Sequence, residues 1–508
     1  MSTQVATVSR MRAALSTFAG STATTLLVSI QALVMMPLYY KLIGQTMYGA
    51  WMATGDLLVL MLAFDMGIPN ILIQRIGAAL AKSDTKAIGG YFGTGATILI
   101  AFSCILCLGL AAISPFVPTW VHLHGANADL LQKTFLLDTV AICLMLTNFV
   151  FQGLARGLQQ TGFINLSSFI ATLIGFATIL GLLLTGHGLW SISIGVAVRA
   201  AMTLTGSVLF LFTRVDREIR RALRYDREVA SEFCKLTPTM FIAGLSYGFM
   251  NNCQVFLAAV VLGPESATIF GLTRKAADVA RNVLDAVGNA SYGGFAHLFA
   301  TGDRVKSRSV YQEVIAIYLS VGLALMCAYI ATNPSLVGVW VSGKIFGGST
   351  LTILLALSTL IGGWSYLTLS LYRSTDRHRV VSNALLIECL CRLPLMLGLL
   401  YLFGLPGLPV ATIVTGLSSG LWAHFKIKSL LDKNENAEAK QSMIWALRVV
   451  VFIVGAAICM LAVRPTWSFV LGVGGSIMIG TGALFVGIDP LLHRVRRMVV
   501  GKVARLAP

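Results

Sequence analysis

Apolar runs long enough to cross a hydrocarbon core of about 30 Å, roughly 20 helical residues each, recur along this chain with only short polar breaks. They fall at 14–40, 47–68, 90–114, 134–155, 163–185, 189–212, 236–262, 266–298, 310–332, 349–372, 380–403, 408–425, 443–463 and 467–489. The pattern predicts an all-α, polytopic membrane protein with fourteen transmembrane helices. With 56% hydrophobic residues, 12% charged residues and a mean hydropathy of +0.80, a soluble domain is excluded.

A net charge of +17 suggests nucleic acid until its distribution is read. With the N-terminus placed inside, eight alternate segments hold 29 of the 38 Lys and Arg, while the opposite loops hold only Lys41, Lys133, Lys344 and Arg464. The positive-inside rule then puts both termini in the cytoplasm. The basic excess reads as topology and contact with anionic headgroups, and no nucleic-acid partner is expected. "MSTQVATVSRMR" carries no signal-peptide cleavage pattern, and the first hydrophobic run is too long for a signal peptide and should remain as helix one. The nine cysteines are scattered through helices and read as small packing residues. "GVWVSGKI" lacks the closing Ser/Thr and the preceding strand of a phosphate-binding loop. No cofactor is expected.

The chain is internally duplicated. "LIGQTMYGAW" matches "VLGPESATIFGL", aligning Tyr48-Gly49 with Phe270-Gly271 and Asp56 with Asp278 at an offset of 222. Further on, Asn165 pairs with Asn383 and Arg156 with Arg373, the offset drifting only to 217. Six helices per copy is an even number, so the copies enter the membrane in the same direction. Parallel repeats of this kind build two lobes that face one another across a midplane site. The expected organisation is an N-lobe of helices 1–6 at 1–213, a basic cytoplasmic linker at 214–235 and a C-lobe of helices 7–12 at 236–428. A second cytoplasmic linker at 429–442 leads to the two extra helices and a basic tail at 443–508.

The eighth run holds "TRKAADVARNVLDA", five ionised side chains in fourteen residues. Charges at bilayer depth cost at least about 2.5–3.5 kcal/mol each, so they face protein or water. On a helical wheel Arg274, Asp278, Arg281, Asp285, Asn289 and Tyr292 fall within an arc of about 80°, with Lys275 flanking it. Ala276, Ala277, Ala280, Val283, Leu284 and Val287 form the reverse face. From Pro264, Arg274 lies about 15 Å and Arg281 about 25 Å along the helix. The stripe should therefore cross mid-membrane and line a water-filled central cavity. Arg274–Asp278 and Arg281–Asp285 can pair at i,i+4. Three cations against two anions leave a positive excess, and a polyanion could displace the carboxylates to take the guanidinium forks. Self-neutralised pairs with a structural role, or an interfacial helix, are the alternatives.

Other intramembrane polar residues are candidates too. Arg199, with no carboxylate nearby in sequence, is a candidate second cavity cation. Arg392, one turn after Glu388, reads as a structural pair. Asp56 and Asp65 could bind a coupling proton or cation, or Asp65 could cap the inner helix end. Gln31, Asn251, Asn252 and Gln254 suit interhelical hydrogen bonds or sugar contacts.

At "MMPLYYKLIGQTMYGAWMATGDLLVLMLAFDMGI" and "FQGLARGLQQTGFIN" the sequence resembles the bacterial O-antigen and exopolysaccharide flippases, the polysaccharide-transporter branch of the multidrug/oligosaccharidyl-lipid/polysaccharide exporter superfamily. Pro37, Gly44, Tyr48-Gly49 and Asp65-Met66-Gly67 carry the resemblance. It implies alternating access of two six-helix lobes around a cationic cavity and transfer of an undecaprenyl-diphosphate-linked oligosaccharide from the inner to the outer leaflet. It also implies a bacterial inner-membrane location, contact with membrane lipids, and a glycan polymerase and chain-length regulator as partners.

Lipid II flippases are the nearest alternative, but "IQRIGAALAKS" stands where they carry an "RRxFAEGAF"-like run, and helix one lacks their arginines. A drug or cation antiporter would want an acidic or aromatic cavity. A membrane-bound glycan polymerase would need convergent titratable groups on a sizeable outer loop, and the richest one, with His122, His124 and Asp129, has no matching cluster outside. A transporter is expected, not an enzyme, driven by a proton or sodium gradient or by consumption of its product.

Overall fold

Long apolar runs became long helices. The computed structural model describes residues 34–341, 343–431 and 466–488, with five positions of the helical stretch before Val34. Its helices are α1 (Val34–Ile43), α2 (Gln45–Met61), α3 (Ile68–Ala81), α4 (Thr85–Ile113), α5 (Val117–Trp120), α6 (Ala126–Gly157), α7 (Thr161–Leu184), α8 (Leu189–Thr213) and α9 (Arg217–Arg221). They continue as α10 (Arg227–Asn252), α11 (Gln254–Leu262), α12 (Pro264–Ala300), α13 (Arg304–Trp340), α14 (Ser349–Arg373), α15 (His378–Phe403), α16 (Gly407–Leu430) and α17 (Trp467–Ile488).

No strand occurs among the described residues. Eight of the described helical spans are long and apolar enough to cross a membrane, and nine if α10 and α11, bent by 49° at their break, form one. α12 and α16 occupy the expected spans 266–298 and 408–425 without being apolar enough to join that number. The expected span 443–463, most of 14–40 and the basic tail lie outside the described residues.

Beside the short α5 and α9, one longer helix was not expected. The second span was to end at 68 and lead into a cytoplasmic loop; instead the backbone turns at Met66 and Gly67, both left-handed with φ 56° and 68°, and resumes as α3. The Asp65 carboxylate accepts the Gly67 N–H at 2.9 Å and fixes that turn. Ile68, Ile71, Leu72, Ile76 and Ala79 are buried at helical spacing, so α3 is amphipathic and packs inward.

The chain divides into two compact units at Thr268–Ile269, inside α12. In the first unit α3 packs on α4 and α6, and α8 on α6 and α7. Its core joins Ile68, Leu72, Phe92, Leu146, Leu154, Phe210 and Phe233. Close approach in lipid depends on small residues. At the α7–α8 crossing, a Cβ on Gly175 would lie 3.0 Å from the Gly195 carbonyl, and one on Gly195 3.0 Å from the Gly175 carbonyl. The segment 236–262 belongs to this unit too: α11 packs on α2, and a Cβ at Gly49 of α2 would overlap the Pro264 carbonyl at the start of α12.

In the second unit α13 packs on α14 and α17, and α16 on α14 and α15. The Tyr318 hydroxyl on α13 donates to the Leu360 carbonyl of α14 at 2.9 Å. Gly363 on α14 leaves the space that this hydroxyl occupies.

The α7–α8 crossing yields a direct test. Gly195→Leu should destabilise the protein by about 1–3 kcal/mol through overpacking, read as a lower melting temperature in detergent. Gly181→Ala, on the same helix pair but with nothing within 4 Å of its added Cβ, should instead stabilise it by about 0.5–1 kcal/mol.

Candidate functional site

The charged stripe lies on α12, a continuous helix of 37 residues. Its reverse face packs as the wheel requires at Ala277, Ala280 and Leu284, which are buried, whereas Val283 is exposed. Leu284 approaches Gly322 of α13, and Gly288 approaches Leu367 of α14. The helix is also pinned at Thr273. Tyr329 Oη donates to the Thr273 carbonyl at 2.9 Å, Asn333 Nδ2 donates to the same oxygen at 3.3 Å, and the Gly347 N–H donates to Thr273 Oγ1 at 3.0 Å.

Both i,i+4 pairs of the stripe form. Arg274 Nε lies 2.7 Å from Asp278 Oδ1, and Arg281 Nε lies 3.8 Å from Asp285 Oδ2. The first is a charge-assisted hydrogen bond; the second is an ion pair beyond hydrogen-bond length. Their side chains are 14–33% exposed, neither sealed in packing nor fully solvated. The Arg274 guanidinium lies 5.9 Å from the Phe270 ring centroid. Lys275 and Tyr292 are half-buried and Asn289 is exposed, so the stripe continues along the helix with accessible polar groups.

Two tyrosines that spacing did not reveal join it in space. Tyr329 of α13 lies within electrostatic reach of Asp278 and Arg274, and Tyr366 of α14 within reach of Asp285, Arg373 and Arg281. Chemically the cluster offers forked N–H donors beside two carboxylates, with the Tyr329 hydroxyl committed to the Thr273 carbonyl.

The remaining candidates sit elsewhere. Arg199 on α8 belongs to the first unit. It contacts the Met145 sulfur at 4.0 Å and forms no ion pair with a carboxylate among the described residues. Asp56 is half-buried on α2. Asp65 holds the turn before α3. Asn251, Asn252 and Gln254 each donate to the carbonyl four residues back on their own chain, at 2.8, 3.1 and 3.5 Å around the break between α10 and α11.

Glu388 and Arg392 form an ion pair on α15 with both side chains 4% exposed, and Arg392 Nε donates to Thr415 Oγ1 of α16 at 2.7 Å. A groove of about 690 Å³ between α15 and α16 opens beside Glu388. Sequence reading also passed over Asp138 on α6, a buried carboxylate whose signal was legible: no basic residue stands three or four positions away on its helix.

A family described as polysaccharide biosynthesis protein matches residues 16–291. No curated protein matches the chain. Among solved structures it is similar to an inward-facing multidrug resistance MATE family transporter of the MOP superfamily, at 13% identity and a TM-score of 0.68 over 79% of this chain and 95% of that one. It is similar to the lipid II flippase MurJ in an inward closed conformation, at 15% identity and a TM-score of 0.67 over 92% of this chain and 99% of that one. A third is a MOP superfamily transporter from Pyrococcus furiosus, described by the reverse polarity of its binding pocket, at 13% identity and a TM-score of 0.58 over 84% and 96%. The fold is therefore that of the MOP superfamily transporters.

The Glu388–Arg392 pair can be tested apart from any transport. Glu388→Gln should leave a buried guanidinium without its counter-charge and cost about 3–5 kcal/mol, measured as loss of thermal stability in detergent. Replacing both residues by leucine should cost less than the single change.

Proposed function

The chain belongs to the polysaccharide biosynthesis protein family, and from that premise we propose that it moves an undecaprenyl-diphosphate-linked oligosaccharide across a bacterial cytoplasmic membrane. The direction is from the cytoplasmic to the periplasmic leaflet, for O-antigen or exopolysaccharide assembly. The observation that carries this reading is the stripe of α12: two Arg–Asp pairs and Lys275 at mid-helix, only partly buried.

A diphosphate suits it in charge and geometry. Its oxygens accept from the guanidinium forks of Arg274 and Arg281, Lys275 adds a third cation, and Asp278 and Asp285 are released from their pairs. When the substrate leaves, each carboxylate re-forms its pair one turn away, so neither guanidinium of the unloaded stripe is left unmatched. Asn289 and Tyr292 continue the same face and suit sugar hydroxyls. Arg199 is a candidate second contact. An aqueous chamber beside α12, opening to each side of the membrane in turn, completes the proposal, with the lipid tail remaining in the bilayer.

The distribution of Lys and Arg supports cytoplasmic termini. A glycan polymerase and a chain-length regulator would take the product on the far side. Direction would come from their consumption of it or from a proton or sodium gradient, with Asp56 as a carboxylate available for coupling. Lipid II is the second reading, favoured by one observation: the flippase structure matches 92% of this chain. Against it stand the absent "RRxFAEGAF"-like run and the composition of helix one.

Arg281→Ala, expressed at the normal level, should reduce surface polysaccharide; loss of one charge-assisted hydrogen bond, about 1.5–3 kcal/mol, predicts weaker substrate binding by roughly 10–150-fold. Arg281→Lys should restore part of it. Normal surface polymer in the alanine variant would overturn the assignment of the stripe.

A further inference from the structure

Asp138 is the most buried acidic group the transport reading leaves unused. It lies twelve residues into α6, about 18 Å from its first residue, and is 6% exposed. Its two oxygens differ. Oδ2 accepts from Trp51 Nε1 of α2 at 3.3 Å and from Ser193 Oγ of α8 at 3.0 Å. Oδ1 is fully buried and has no hydrogen-bond partner.

The partners decide what the site can bind. An indole N–H is a donor only, and the serine hydroxyl donates to the same oxygen, so a cation at Oδ1 would find at most the serine oxygen as a further ligand from these two groups. No group of three or more potential metal-ligating side chains occurs among the described residues. The chemistry around Asp138 therefore suits a proton and not a metal cation.

Other charged and titratable groups on the elements packed against α6 do not neutralise it. They are Tyr48 and Asp56 on α2, Asp65 in the turn, Arg75 on α3, Lys86, Tyr91, Cys104 and Cys107 on α4, and Arg199 on α8. α6 itself adds Cys143 and Arg156, and the pair Asp129–Lys133 at its start. None of these forms a hydrogen bond or ion pair with Asp138; Arg75 pairs with Glu232, and Arg199 contacts Met145. An ionised carboxylate here would be a buried charge held by two neutral donors, an expensive state that a proton on Oδ1 removes without disturbing either bond to Oδ2.

We propose that Asp138 is a proton-binding site of the first unit, with Oδ1 as the atom that takes the proton, and that it couples the transport cycle to a proton gradient. This rests on the transporter reading for the coupling alone. On uptake an O–H bond forms at Oδ1 with a proton from water on one side of the membrane. On release that bond breaks and the proton passes to water on the other. The charged form pulls harder on the Trp51 and Ser193 donors than the neutral form does. Protonation thus changes how strongly α2 and α8 are tied to α6, and this differential interaction is what a coupling site requires.

The test uses the purified full-length protein in bilayers of phosphatidylethanolamine and phosphatidylglycerol, without any glycan. A pH step should give an infrared carbonyl band of a protonated carboxyl group that is absent in Asp138→Asn, and Ser193→Ala should shift its titration midpoint. In cells, Asp138→Asn should lower surface polysaccharide at least about fivefold, the low end of a site-to-site coupling. If Asp138→Asn fails to fold, Asp138→Glu replaces it, and the band should persist with a shifted midpoint. An unchanged band in Asp138→Asn, or no such band in the unmodified protein, overturns the site. A lost band with normal surface polymer overturns the coupling. Because the infrared signal needs no substrate, normal polymer in Arg281→Ala would count against the substrate reading and leave the proton site standing.

Discussion

An ionised side chain in hydrocarbon has to be matched within a few ångströms, and the described parts of this structure are organised around that requirement. The solutions differ by place. At Glu388–Arg392 the match is sealed: two nearly inaccessible groups with Thr415 completing the hydrogen bonds. Along α12 the match is looser, one pair at hydrogen-bond length and one at 3.8 Å, with side chains that remain partly exposed. A sealed pair fixes helices, whereas a loose one can exchange partners. Chemistry of the same kind thus serves architecture on α15 and, in the function proposed above, recognition on α12.

Packing follows a second constraint peculiar to lipid. Lipid tails are as apolar as leucine, so burying leucine does not drive helices together, and contact must come from close approach and internal hydrogen bonds. The glycines of α6, α7 and α8 allow the approach. The bonds Tyr318–Leu360 and Ser207–Asn148 add polar ties that cross between helices.

What the sequence made legible follows from these constraints. Helix type and approximate limits were readable because run length alone decides them, and the pairs of α12 because i,i+4 spacing places both partners on one face. α3 was not readable as a helix by run length: fourteen amphipathic residues make no continuous apolar stretch, and a left-handed turn at a methionine is unusual. The division of the chain at Thr268–Ile269 leaves no local mark, since it falls within a helix. Tyr329 and Tyr366 join the stripe only through tertiary packing.

The anchoring of Thr273 bears on how such a protein can change its preference. With its carbonyl and hydroxyl both engaged by α13 and the 343–348 turn, α12 has a fixed azimuth at the head of the charged face. Rolling the helix to present its cations differently would break all three of these bonds. Under the function proposed above, accommodating a larger or smaller headgroup would then proceed through side-chain length, arginine against lysine or aspartate against glutamate, while the backbone register stays constant. Divergence among such proteins should accordingly be written in the reach of a few side chains.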